Sequence, residues 1–353
     1  MHVKRSAKIV NYWAIIFILL LAAPGCRQNT VDKLELCDQA WEYRLNGGYD
    51  KAIDLFTKAI ELDPGFTGAY NGRGIVHFLS ADIDKAVNDF SNAIAANPNY
   101  AWTYNNRAWL HCLKKEYAES VSDYTSAIKS APGYAPAYNN RGIVYYLKGA
   151  YEESINDYNK AIELYPEFVA AYNNRGAGYA GKKDYDSAIK DCFKALELDI
   201  DYPEPCRNRG YAYICKREYD KAVADYTKAM RLSPPYPWDY NDRGMAYYLK
   251  GEYDKAVADF TRAIELAPDY AWTYVNRGMA YIGKGEYDKA LNDSNRAFKL
   301  DPDYAKPYST YKGLIADYRK FTPGAVTSYE LYSKLSETPS LFERDRAKME
   351  KLQ

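Results

Sequence analysis

Histidine and cysteine are the side chains that most often hold metals or attack substrates, and this chain carries few of them. Beyond His2 there are two histidines, His77 and His111. Beyond Cys26 there are five cysteines, Cys37, Cys112, Cys192, Cys206 and Cys215. A zinc site needs three or four ligands at close range, and no compact Cys/His cluster occurs in the sequence. Nor does a Gly-x-Ser-x-Gly elbow, a Walker-type loop or a His-Glu-x-x-His pair. The expectation is a non-enzyme with no metal and no cofactor. What the chain has in excess is tyrosine, 38 in 353 residues, which needs an explanation. The formal net charge is zero, with no long run of one sign, so nucleic acid is not an expected partner.

These residues recur at a fixed spacing, so the scaffold that positions them must repeat. Asp63-Pro64, Asn97-Pro98, Ala131-Pro132 and Tyr165-Pro166 stand 34 residues apart. After a lapse at Ile200 the series resumes at Pro234, Pro268 and Pro302. With each proline at position 32, eight repeats follow without insertion or deletion: 33–66, 67–100, 101–134, 135–168, 169–202, 203–236, 237–270 and 271–304. Position 8 is Gly or Ala from Ala40 to Gly278, position 20 is Ala or Ser, and position 27 is Ala throughout, from Ala59 to Ala297. Position 11 is Tyr or His and position 24 is mostly aromatic. Glycine within a helix costs about 1 kcal/mol relative to alanine, so its recurrence at one column implies close helix packing, with the ring at position 24 filling the space beside it. A single hairpin of two short helices is marginal; stacking buries each against its neighbours. The tyrosines recur at positions 4, 11, 17, 24 and 34.

The pattern resembles the tetratricopeptide repeat and covers 33–304. The resemblance implies an all-α solenoid, a right-handed superhelix of eight helix-turn-helix repeats with C-terminal capping helices, serving protein interaction. Residues 305–321 begin like a ninth first helix, with Tyr308 at position 4, and are expected to cap the array. Residues 322–353 are expected to form a helical tail.

A helix advances about 100° per residue. Positions 4, 7, 8 and 11 of the first helix therefore face the second helix, and positions 2, 5, 6, 9, 12 and 13 lie opposite. In the resembled family that opposite side lines a concave ligand groove. Here it carries Trp102, Trp238 and Trp272 at position 2, and Trp41, Trp109 and Tyr211 at position 9. Asn71, Asn105, Asn139, Asn173 and Asn241 hold position 5, and Asn106, Asn140, Asn174, Asn208 and Asn276 hold position 6. An asparagine ladder offers paired donors and acceptors at one-repeat intervals and suits an extended main chain, while tryptophan adds stacking area. It resembles the ladder of O-linked N-acetylglucosamine transferase repeat domains, which binds peptide main chain. The other reading is that these asparagines cap or solvate the helix as generic repeat consensus. Tryptophan with asparagine also suits a glycan in cell-wall or exopolysaccharide assembly.

Position 7, usually Leu in that family, is Arg in seven repeats: Arg73, Arg107, Arg141, Arg175, Arg209, Arg243 and Arg277. Position 23 is Asp in the same seven: Asp89, Asp123, Asp157, Asp191, Asp225, Asp259 and Asp293. The first repeat has Gln39 and Leu55 instead. Columns that switch together point to an ion pair between packed helices; the alternative is a basic stripe for acidic ligands. Cys192 takes the ring position of the fifth repeat and Cys206 takes the position-4 tyrosine of the sixth. Two large residues shrink together, which suggests either a disulfide or two small hydrophobes sharing a site. His77 and His111 sit in the tyrosine column and read as core substitutes.

The first residues are a separate matter. Lys4, Arg5 and Lys8 precede an unbroken apolar run from Trp13 to Ala23, too short to span a bilayer comfortably and suited to a signal sequence. Leu21-Ala22-Ala23-Pro24-Gly25-Cys26 resembles the lipobox of bacterial lipoproteins, although Pro24 departs from its usual pattern. The resemblance implies a signal peptide over 1–25, lipid on Cys26, a linker over 26–32, and a periplasm-facing or surface-exposed protein on the envelope membrane. An uncleaved anchor or an ordinary secretory signal would share the same apolar run. The expected function is a membrane-anchored scaffold that binds an extended peptide or protein partner.

Overall fold

The computed structural model describes residues 31–302. The signal peptide (1–25), Cys26, most of the linker, the capping helix (305–321) and the tail (322–353) lie outside the described residues.

The described residues form sixteen α-helices in eight hairpins: α1 Val31–Leu45 and α2 Tyr49–Leu62; α3 Thr67–Leu79 and α4 Ile83–Ala96; α5 Ala101–Leu113 and α6 Tyr117–Ser130; α7 Ala135–Leu147 and α8 Tyr151–Leu164; α9 Val169–Gly181 and α10 Tyr185–Leu198; α11 Glu204–Cys215 and α12 Tyr219–Leu232; α13 Pro237–Lys250 and α14 Tyr253–Leu266; α15 Ala271–Gly283 and α16 Tyr287–Leu300. The chain forms two compact units, divided within α9 between Gly178 and Tyr179. Inside each unit every helix packs on the next, and first helices of successive repeats also touch, as α5 does α7 and α13 does α15.

The helix ends follow local chemistry. Position 31 turns extended, as at Asp63 (φ −143°, ψ 93°), and its N–H caps the carbonyl of Ala59. A following proline disfavours the helical region for that residue. In the fifth repeat Ile200 replaces the proline, yet Asp199 adopts the same geometry (φ −143°, ψ 101°). Its Oδ1 accepts from the N–H of Asp201 at 3.1 Å, as Asp63 does from Gly65. The side-chain turn alone stops the helix.

Small residues at position 8 meet the ring at position 24. A Cβ on Gly142 would stand 2.6 Å from Tyr158, and on Gly74 2.8 Å from Phe90. In the second unit, one on Gly244 would lie 2.9 Å from Phe260. Tyr124, Tyr158, Tyr226, Phe56, Phe90 and Phe260 are among the largest fully buried side chains, so these slots are the core. In the eighth repeat Ser294 replaces the ring, and a Cβ on Gly278 would meet nothing closer than 3.5 Å. Ala40 and Ala108, both fully buried, show that a slot can hold one methyl.

Two substitutions at one column should therefore diverge. Gly142→Ala should lower stability by about 1–2 kcal/mol through overpacking. Gly278→Ala should raise it by roughly 0.5–1 kcal/mol through helix propensity. Urea midpoints of the two variants would show the opposite signs; equal shifts would refute the packing account.

Candidate functional site

The first helices are fixed from behind by arginine. In the first unit Arg73 donates from Nε and Nη2 to the two oxygens of Asp89 at 2.8 and 2.7 Å. Arg107 grips Asp123 at 2.7 and 2.8 Å, and Arg141 grips Asp157 at 2.8 Å twice. In the second unit Arg209–Asp225, Arg243–Asp259 and Arg277–Asp293 repeat the bidentate geometry at 2.7–2.8 Å. Arg175 and Asp191 fall on either side of the unit division, and Arg175 donates to Asn159 at 2.7 Å within the first unit.

The fork has a third contact that sequence reading missed. Nη1 donates to position 25 of the preceding repeat: Arg73 to Thr57, Arg107 to Ser91 and Arg141 to Thr125, each at 3.0 Å. Arg243 and Arg277 reach Thr227 and Thr261 at 3.2 and 3.1 Å. Each of these five arginines thus ties its own first helix to two second helices. Where position 25 is Phe193, the Arg209 guanidinium lies over that ring at 4.0 Å instead. Tyrosine at position 4 flanks the same group, as Tyr70 does Arg73 at 5.8 Å.

The opposite face differs from the ligand ladder expected of it. Asn105, Asn139, Asn173 and Asn241 are buried, Asn105 to 1% exposure, and so are Asn106 and Asn276. Their amides are spent on one another. Asn173 donates to Asn174 (3.3 Å), Asn174 to Asn139 (3.0 Å), Asn139 to Asn140 (3.1 Å) and Asn140 to Asn105 (3.1 Å). Asn106 and Thr103 both donate to Asn71. In the second unit Asn276 donates to Asn241 (2.8 Å) and Asn241 to Asp242 (3.1 Å). The buried members of the ladder thus serve as links between neighbouring first helices. Adjacent first helices lie close enough for position 6 of one repeat to reach position 5 of the one before, so the ladder is a polar spine. Asn71, Asn140, Asn174 and Asn208 are half-buried.

The tryptophans keep exposed surface. Trp102 lies between Tyr100 and Tyr134, with ring centroids 5.6 and 5.5 Å away. Trp238 stacks on Tyr236 (4.7 Å, 16°) and Trp272 on Tyr270 (5.9 Å, 24°). Trp41 sets its edge on Phe56 at 5.2 Å under the guanidinium of Arg44, and Trp109 packs in the cluster around Phe90 and Leu110. Tyr211 is half-buried.

Arg207 and Asp239 were not singled out by sequence. Arg207 occupies position 5 in place of asparagine and binds Asp239 at 2.6 and 3.0 Å and Ser233 at 2.9 Å. Both residues break their columns in consecutive repeats, which is the signal that revealed the Arg–Asp columns, here with only one instance.

The disulfide considered for Cys192 and Cys206 is not formed. Both are free, fully buried thiols, and burial pushes both upward, away from the thiolate that exchange requires. They are two small hydrophobes, and the displaced ring stands one place on, at Phe193. Among the described residues no group of three His, Cys, Asp or Glu side chains could hold a metal. His111 bonds Glu116 at 2.6 Å. His77 is buried with Nε2 3.7 Å from Asp89, and burial lowers its pKa.

An array of hairpins with these columns is an all-α repeat solenoid. Tetratricopeptide-repeat family models match residues 37–101, 135–168, 169–202, 203–236 and 273–304, and a TPR repeat model matches 244–285. The chain belongs to the tetratricopeptide repeat family. No curated protein matches it in sequence. Among solved structures, a tetratricopeptide repeat protein from Parabacteroides merdae is 18% identical with TM-score 0.57, covering 74% of this chain and all of that one. The Cut9–Hcn1 structure of the APC/C is 17% identical with TM-score 0.58, covering 78% of this chain and 55% of that one. PilF of Pseudomonas aeruginosa is 20% identical with TM-score 0.51, covering 57% and 92%. These likenesses show the fold. Repeats of this family generally serve as protein-interaction scaffolds.

Two outcomes follow from the buried polar groups. Asp157→Asn leaves Arg141 half-buried without its counter-charge and should cost about 3 kcal/mol. Changing both to the uncharged pair of the first repeat, Arg141→Gln with Asp157→Leu, should recover most of it. Chemical denaturation decides; little change in the single variant would favour an exposed basic stripe. His77 is favoured neutral in the folded chain, so below its ordinary value of 6.5 the unfolded chain takes up the proton more readily. Its contribution to stability is therefore lost as pH falls through that value. His77→Tyr, the residue of its column, should shrink the acid-side loss in melting temperature between pH 7 and 5.

Proposed function

We propose that this chain is a non-catalytic scaffold, held at a bacterial envelope membrane by lipid on Cys26, that grips an extended peptide or protein segment on the uncovered face of its first helices. The observation that carries the binding part is the set of partly exposed tryptophans, each braced by a tyrosine: Trp102 by Tyr100 and Tyr134, Trp238 by Tyr236, Trp272 by Tyr270. A braced indole loses little side-chain freedom on binding and offers a large apolar plane, which is what contact anchors need. In the second unit the Asn276–Asn241 bond joins the two helices that carry Trp238 and Trp272. The anchoring and the periplasm-facing or surface location rest on the Lys4–Cys26 segment of the sequence.

Crosslinking the anchored protein in its own membrane tests both parts. Replacing Trp102, Trp238 and Trp272 by alanine should remove the captured species or weaken capture by about tenfold or more. Cys26→Ser should release the chain from the membrane fraction. An unchanged capture pattern in the triple variant refutes the binding face. Retention of Cys26→Ser in the membrane refutes the lipid anchor, and glycan-array binding lost with the tryptophans would transfer the face to a polysaccharide.

A further inference from the structure

An apolar stripe runs along the uncovered side of the first helices in the first unit. Positions 9 and 13 lie four residues apart and so share one side of each helix. They pair Trp41 with Leu45, Ile75 with Leu79 and Trp109 with Leu113, and the fourth repeat continues the series. Trp41, Leu79, Trp109 and Leu113 pack around one cluster that includes Ile75, so neighbouring repeats form a continuous surface. Leu45 is 73% exposed. Trp109 has one polar side-chain atom, Nε1, and it is buried, so what this partly buried ring exposes is carbon. From Gly68 to Leu147 the columns on this side, positions 2, 5, 6, 9, 12 and 13, hold no charge. One cation stands at the end of the stripe. Arg44, at position 12 of the first repeat, lies over the Trp41 ring at 4.8 Å, and its Nε is buried without a hydrogen-bond partner. Burial lowers its pKa, only Tyr49 opposes this, and no carboxylate acts on it, Asp38 at position 6 included. Arg73 and Arg107 are raised instead by their bonds to Asp89 and Asp123. The last turn of α1 favours a cation through the helix dipole but brings no counter-ion. Arg44 is thus a half-buried guanidinium beside apolar surface, with no acid partner among the described residues.

Resting on the peptide-binding reading above, we propose that this stripe seats an apolar partner segment in the polyproline II conformation, with an acidic residue at one end paired to Arg44. Covering the stripe takes water from Arg44, and an occupant without an acid would leave that charge stranded. A carboxylate can meet the guanidinium with two bonds, whereas a lysine there would add repulsion. The backbone conformation follows from spacing. Packed helices stand about 8–10 Å apart. Polyproline II returns to the same side every three residues, after about 9 Å, which gives one side chain per repeat. A β-strand returns after two residues and about 6.6 Å, out of step with the helices. An α-helix returns only after seven residues and about 10.5 Å.

The test titrates the full chain by calorimetry with acetyl-Glu-Pro-Leu-Ser-Pro-Leu-Ser-Pro-Leu-amide and with its Gln and Lys counterparts. The Glu peptide should bind at least about tenfold more tightly than the Gln peptide, and the Lys peptide most weakly. Arg44→Gln should level the Glu and Gln peptides without lowering the melting temperature, since it removes an unpaired charge. Leu45→Ser, at an exposed site, should weaken the Glu peptide by about tenfold. Leu266→Ser, at an exposed leucine of α14 outside the stripe, should change nothing. Moving the three leucines of the Glu peptide to adjacent positions should weaken it as much as Leu45→Ser does. Equal binding of the Glu and Gln peptides, or a preference that survives Arg44→Gln, overturns the acid pairing and the proposal with it. Binding indifferent to Leu45→Ser but lost in the Trp102, Trp238 and Trp272 triple variant overturns the stripe while upholding the peptide-binding face. Binding of no peptide overturns this proposal and leaves that face to the crosslinking result.

Discussion

A guanidinium placed between packed helices cannot be left without partners, and that requirement organises the hairpins that carry the Arg–Asp pair. An apolar side chain at position 7 would bury area and tolerate small slides of one helix on another. The arginine fork does not. Its Nε and Nη2 require both oxygens of the position-23 aspartate, and Nη1 requires an acceptor from the hairpin before. Burying the charge is costly unless all of this is met, so the pair contributes register more than net stability. The third partner is negotiable. Threonine, serine and asparagine all serve, and Phe193 replaces the bond with its ring face. The aspartate is fixed, because only it cancels the charge.

Glycine and ring complete the same joint. Arg and Gly stand side by side at positions 7 and 8, and Asp and ring side by side at positions 23 and 24. The ion pair sets how the two helices are rotated, and the glycine sets how closely they approach. Gly278 with Ser294 keeps the ion pair, Arg277–Asp293 at 2.7 Å, while dropping the ring. The two devices are therefore separable: the charge contact holds orientation where the steric contact has lapsed.

What could be read from sequence follows from this. The columns recur in eight in-register copies, so periodicity and co-variation exposed the hairpins, the small-residue slots and the Arg–Asp pair. The asparagines were harder. A helical wheel assigns Asn105 and Asn140 to the side away from the second helix, but cannot say that the next first helix lies within hydrogen-bond reach. That distance, 3.1 Å between the two amides, is a property of stacking. The position-25 acceptors were hidden because threonine, serine and asparagine look like ordinary solvated residues, and Arg207–Asp239 because it occurs once. Cys26 and residues beyond 302 belong to parts of the chain that the described structure does not reach.

The division of labour between helix faces also explains how such a chain can acquire a binding preference. Positions 7 and 23 are constrained by one another, so a change at one must be matched at the other, as Gln39 with Leu55 shows. Positions 2, 9 and 12 carry no such obligation: position 9 alone holds Trp41, Ile75, Trp109, Ile143, Tyr211 and Met245. Position 5 is intermediate, since it must supply a polar link to the next repeat, but amide and ion pair are interchangeable there. Arg207 with Asp239 makes that link where Asn139 with Asn174 makes it elsewhere. The exchange keeps the helices joined and brings charge to columns that are neutral from Gly68 to Leu147. Ligand chemistry can thus change from repeat to repeat through the link residues, without disturbing the arginine joints on the other side of the same helix.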